Sequence, residues 1–147
     1  MKTLLNAVVF LLLQIPTFLL LSCSESKPVS TPATQPEPEA IARTEFTDRL
    51  ENFFEYEPLR SGKPSQVRIH LTDLRDGSPV EKANVSMTVK PKGKADPVLQ
   101  TTAKVGKVTG IYVAEWNIPQ AGEYDIEFHI RNNKLDEHLP LMDFKVE

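Results

Sequence analysis

Three histidines carry most of the coordination chemistry this sequence could offer: His70, His129 and His138. A neutral imidazole is the commonest protein ligand for zinc and a good one for copper. His129 and His138 flank the short polar stretch Asn132-Asn133-Lys134-Leu135. If that stretch is a four-residue hairpin loop, the simplest register pairs Arg131 with Asp136 and sets His129 opposite His138. Directly opposed side chains on antiparallel strands lie about 5 Å apart, close enough to share a cation. Met87 and Met142 add thioethers, which copper accepts. A copper or zinc site on His129 and His138, with His70 as a third candidate ligand, is one expectation. The competing expectation is three ordinary surface histidines: the chain holds no His-x-His or His-x-x-x-His spacing, and Met87 falls at a core position.

The other reactive side chain is Cys23, the only cysteine. It closes an apolar run from Leu4 to Leu21, preceded by Lys2, in the phrase Leu20-Leu21-Ser22-Cys23. A positive start, an apolar stretch and a small residue before the cleavage point make a secretory signal. With cysteine after the small residue, it resembles the bacterial lipoprotein signal. The resemblance implies removal of residues 1–22 and lipid on Cys23. Several acyl chains at about 0.8 kcal/mol per buried methylene make a stable anchor where one chain does not. A periplasmic location follows, with the outer membrane favoured because Ser24, not Asp, comes after the cysteine. A membrane-spanning helix is the alternative, since a run of about 18 residues lies near the minimum length. Asn6, Gln14 and Pro16 interrupt it.

A single cysteine excludes a disulfide framework and cysteine-rich zinc sites. A lipid cap on Cys23 also removes it as a nucleophile. Seventeen basic against twenty acidic residues give a net charge of −3. That balance offers nothing for nucleic acid to recognise. No nucleophile elbow or phosphate-cradling glycine loop occurs, so no enzyme is expected.

Elements that would position the histidines follow from the residue pattern. Residues 23–43 scatter Pro28, Pro32, Pro36 and Pro38 among Ser, Thr, Gln and Glu. Such a segment cannot bury enough apolar surface to order itself. It reads as a tether reaching about 60 Å at about 3.1 Å per residue. From Thr44 onward the pattern changes. Thr44 to Tyr56 reads as one strand, with a short helix as the alternative because Leu50, Phe53 and Phe54 share a helical face. Clear alternation follows in Val67, Ile69 and Leu71, then in Val85, Met87 and Val89. A weaker strand spans 98–105. Tyr112, Ala114 and Trp116 share one side of the next, and Tyr124, Ile126, Phe128 and Ile130 form the inward face of another. A last strand runs from His138 to Val146. About seven short strands with Gly and Pro turns between them predict an immunoglobulin-like antiparallel β-sandwich over residues 44–147. Ala121-Gly122-Glu123-Tyr124 resembles the corner of such domains where a tyrosine hydroxyl bonds back to the backbone. Trp116 is the expected core aromatic.

Asp48, Glu51, Glu55 and Glu57 surround Phe53 and Phe54. Phe53, Glu55 and Glu57 are candidate partner contacts, with a plain solvated strand face as the alternative.

Three ordered phrases resemble a known family. They are Thr47-Asp48-Arg49-Leu50-Glu51-Asn52-Phe53-Phe54-Glu55-Tyr56-Glu57-Pro58-Leu59, then Gly62-Lys63-Pro64-Ser65 leading to His70-Leu71-Thr72-Asp73-Leu74, then Pro79-Val80. Together they resemble the N-terminal β-domain found on some periplasmic adaptor subunits of RND efflux pumps, the heavy-metal type among them. The helical hairpin, lipoyl-like domain and barrel of a full adaptor do not fit into 147 residues. The resemblance therefore implies an accessory module on its own lipid anchor, acting through contacts with efflux-system proteins; a small metal-binding protein and a structural envelope lipoprotein without ligand are the alternatives.

Overall fold

Strict alternation of apolar and polar residues over short runs places every second side chain on one face of a strand. That pattern builds the longer of ten strands in the computed structural model, which describes residues 39–147. They are β1 (Ile41–Phe46), β2 (Leu50–Tyr56), β3 (Pro64–Asp73), β4 (Ser78–Pro79), β5 (Asn84–Pro91), β6 (Leu99–Thr102), β7 (Lys104–Val105), β8 (Ile111–Asn117), β9 (Gly122–Arg131) and β10 (Asp136–Val146). The signal sequence, Cys23 and most of the tether lie outside the described residues.

All pairings are antiparallel and make two sheets. The first has the order β1-β2-β3-β8-β7, with β4 on the end of β3; the second has the order β10-β9-β5-β6. The inward faces meet in one core. Phe54, Trp116 and Phe128 are fully buried there, with Tyr56 and Phe144 against them. Ring centroids of these five lie 5.1 to 6.5 Å apart in stacked, tilted and edge-on pairs. Such distances suit favourable aromatic contact. Val67, Ile69, Val85, Met87, Val89, Tyr112 and Ile126 complete the layer. The fold is thus the all-β sandwich the alternation predicts. The tyrosine corner is present as well: the Tyr124 hydroxyl donates to the Gln120 carbonyl at 2.8 Å.

Three differences from the sequence pattern have local causes. The run read as one strand from Thr44 is a hairpin of β1 and β2, and β1 already begins at Ile41, inside the stretch read as tether. Its turn contains no Gly or Pro. The Thr47 hydroxyl instead accepts from the amides of Arg49 and Leu50, at 3.2 and 3.0 Å. The weak strand at 98–105 divides at Ala103 into β6 and β7, which belong to opposite sheets. Ala103 is buried, and its amide donates to the Val85 carbonyl at 2.8 Å. Its small side chain lets the backbone cross the rim of the sandwich. Finally, β10 bulges between Leu141 and Phe144, with Asp143 at φ 67°. The extra residue restores Phe144 and Val146 to the core side after the shift.

Candidate metal centre

The β9–β10 hairpin has the register that a four-residue loop requires. Arg131 pairs with Asp136, and His129 with His138. The loop is fixed by Asn132. Its side-chain oxygen accepts from the amides of Lys134 and Leu135 at 2.8 and 3.1 Å, and its nitrogen donates to the Glu81 carbonyl at 3.0 Å. Asn132 also donates its backbone amide to the Leu135 carbonyl, while the Leu135 side chain is buried. Both ends of the loop are therefore pinned. The strands add a second constraint: Phe128, Ile130 and Leu139 are core residues. A slip of one residue would turn each of them to solvent, so His129 and His138 must point outward.

On that outer face the two imidazoles stack with centroids 4.0 Å apart and planes 15° from parallel. Asp136 Oδ1 lies 2.6 Å from His129 Nε2 and 4.0 Å from His138 Nε2. The hydrogen bond from His129 holds the Asp136 carboxyl below its usual pKa, against desolvation, and the charges of His129, Arg131 and His138 add to the effect. Glu127 completes the group: its Oε1 is 2.9 Å from His138 Nδ1.

One ligand atom each from His129, Asp136 and His138 lies within 4.8 Å of the other two. Ligands at about 2.1 Å around a tetrahedral cation stand about 3.4 Å from one another. The contacts of 2.6 and 4.0 Å bracket that value, so modest side-chain rotations would close the three around one ion. Half of the His138 side chain is open to solvent, which leaves room for water or a further ligand at the fourth position.

Sequence reasoning brought His129 and His138 together and missed Asp136 and Glu127. Both could have been found. Asp136 is the first residue after the loop, and Glu127 shares the outward parity of His129 on β9.

His70 does not join them. It lies on β3 in the first sheet, where its ring meets Phe53 edge-on at 5.2 Å and its Nε2 stands 3.8 Å from Glu55 Oε2. The methionines are elsewhere too. Met87 is a core residue, and Met142 is exposed at the bulge, four residues along β10 from His138. The candidate partner residues Phe53, Glu55 and Glu57 share one side of their chain segment. Phe53 and Glu55 are half-buried on the outer face of the first sheet, and Glu57 is exposed just past its end. Phe54, their neighbour, is core.

Residues 44–129 match the family profile described as YtkA-like. The chain belongs to the YtkA-like family. The matched span takes in β2 through most of β9, including Glu127 and His129; Asp136 and His138 follow it. No curated protein and no solved structure matches the chain.

Proposed function

We propose that this YtkA-like protein is a non-enzymatic binding module, held outside the cytoplasm by lipid on Cys23, that takes a divalent transition-metal cation at His129, His138 and Asp136. The observation that carries the proposal is the histidine pair, stacked at 4.0 Å with one Asp136 oxygen 2.6 Å from His129 Nε2 and 4.0 Å from His138 Nε2. Two imidazoles and a carboxylate suit zinc(II) or copper(II). Monovalent copper prefers thioether or thiolate sulfur, and neither methionine discussed above is in the group. An exposed three-ligand site suits an ion that is captured and passed on rather than locked into the fold.

A second reading keeps the role implied by the efflux-adaptor resemblance, protein contact within an envelope efflux system. Phe53 favours it: a phenylalanine edge-on to His70 on an outer sheet face, beside Glu55, offers an aromatic anchor to a partner. The two readings are compatible, since the sites lie on different sheets.

Calorimetric titration of the full chain in detergent with zinc and copper(II) tests the first reading. A site of about 10 μM affinity or tighter, corresponding to about 7 kcal/mol of binding free energy, should appear and vanish in His129→Ala and in His138→Ala. No heat of binding at millimolar metal would remove the metal reading and leave the Phe53 face as the remaining candidate.

A further inference from the structure

We propose that Glu127 is a positioning residue that sets the His138 ring for metal before any ion arrives. Its purpose rests on the metal-binding reading; its geometry does not.

A carboxylate can only accept hydrogen bonds, and a neutral imidazole carries its hydrogen on one nitrogen alone. Glu127 Oε1 sits 2.9 Å from His138 Nδ1, so the hydrogen belongs on Nδ1. The lone pair is then on Nε2, the nitrogen that faces Asp136. Among the described residues, nothing opposes this choice. Asp136 Oδ1 is 4.0 Å from His138 Nε2, beyond hydrogen-bond range, and is already engaged by His129 Nε2 at 2.6 Å.

By the same logic His129 carries its hydrogen on Nε2. The stacked rings are therefore opposite tautomers. His138 is ready to coordinate through Nε2. His129 must first move its hydrogen from Nε2 to Nδ1, with no net loss of a proton, before the ion can take its place beside Asp136. The site is half preorganised, and Glu127 is what preorganises it. An outer carboxylate on a ligating histidine is a recurrent way to fix the ring and raise its basicity.

The test uses the full chain labelled with ¹⁵N, without metal, in mildly alkaline buffer. Two-bond ¹H–¹⁵N correlations should show His138 with hydrogen on Nδ1 and His129 with hydrogen on Nε2. In Glu127→Ala, His138 should revert to the Nε2–H form that free histidine favours. Glu127→Gln keeps an acceptor oxygen and should keep the Nδ1–H form. Zinc affinity should fall about 10- to 100-fold in Glu127→Ala and be largely restored in Glu127→Gln. A His138 tautomer that is Nε2–H in the wild type, or unchanged in Glu127→Ala, would overturn the proposal even if zinc binds. Because the tautomer is read without metal, failure of zinc to bind would defeat the functional reading and leave the assignment of Glu127 standing.

Discussion

His129 and His138 stand opposite each other on β9 and β10 with their rings stacked at 4.0 Å, and the ladder dictates that relationship. Each ring projects from a strand whose neighbouring side chains are locked in the core, so the pair persists without any ion to hold it. An ion that binds the folded pair but not the unfolded chain must stabilise the fold. At one hundred times the dissociation constant the gain is about 2.7 kcal/mol. For a domain of this size that corresponds to a rise in Tm of roughly 10 °C or more. Thermal unfolding with and without zinc should show this rise in the wild type and none in His129→Ala. His70→Ala, on the other sheet, should keep the full rise.

Acid should act through Asp73, at the end of β3. Its carboxylate receives the Arg75 side chain at 3.0 and 2.6 Å and the Arg75 amide at 3.1 Å. These bonds hold its pKa far below the ordinary carboxylate range, against desolvation. A depressed folded-state pKa means that the stabilisation is complete above the unfolded value of about 3.9 and is lost as pH falls below it. Asp73→Asn should therefore melt below the wild type by a constant margin above about pH 5. The margin should narrow steadily between about pH 4 and pH 2. A margin that stays constant across that range would mean the pair contributes through packing alone.

Asn52 breaks the apolar rule of its strand. It occupies the inward face of β2 between Leu50 and Phe54 and is fully buried. Neither atom of its amide has a partner among the described residues. An unpaired buried amide costs about 1–3 kcal/mol. Asn52→Leu should raise stability by about 1–2 kcal/mol, measured as a higher midpoint in urea with an unchanged slope. A lower midpoint would show that the amide is satisfied by an internal water.

Most of the sandwich was legible because the sheets are wet outside and dry inside, which forces the two-residue alternation seen at Val67, Ile69 and Leu71 or at Tyr124, Ile126 and Phe128. Features that depend on side chains closing turns were harder to read. Thr47 ends β1 with its hydroxyl, and Ala103 moves the chain between sheets with no Gly or Pro beside it. The histidine pair was legible because four polar residues between two alternating runs leave one simple register. His70 was misleading for the same reason that the pair was not: outward parity is visible in sequence, whereas which of two outer faces a strand presents depends on sheet order. Asp136 and Glu127 needed only the register, carried one residue past the loop and two residues back along β9.

Gly110 offers the sharpest test of the packing between β4 and the turn into β8. Its φ is +79°, a conformation that costs other residues about 1–2 kcal/mol. A Cβ there would also stand 2.6 Å from Pro79 Cβ and 3.3 Å from the Leu71 carbonyl oxygen. That oxygen belongs to the residue whose amide donates to Gly110 O at 3.0 Å, so neither side can yield freely. Gly77 provides the control. Its φ is +71°, yet an added Cβ would meet nothing within 4 Å. Gly77→Ala should cost only the backbone share, about 1 kcal/mol. Gly110→Ala should cost about 2–3 kcal/mol, the backbone share plus overpacking. Equal losses in the two variants would mean that β4 swings away at little cost. A larger loss at Gly110 would mark β4, short as it is, as a fixed part of the first sheet.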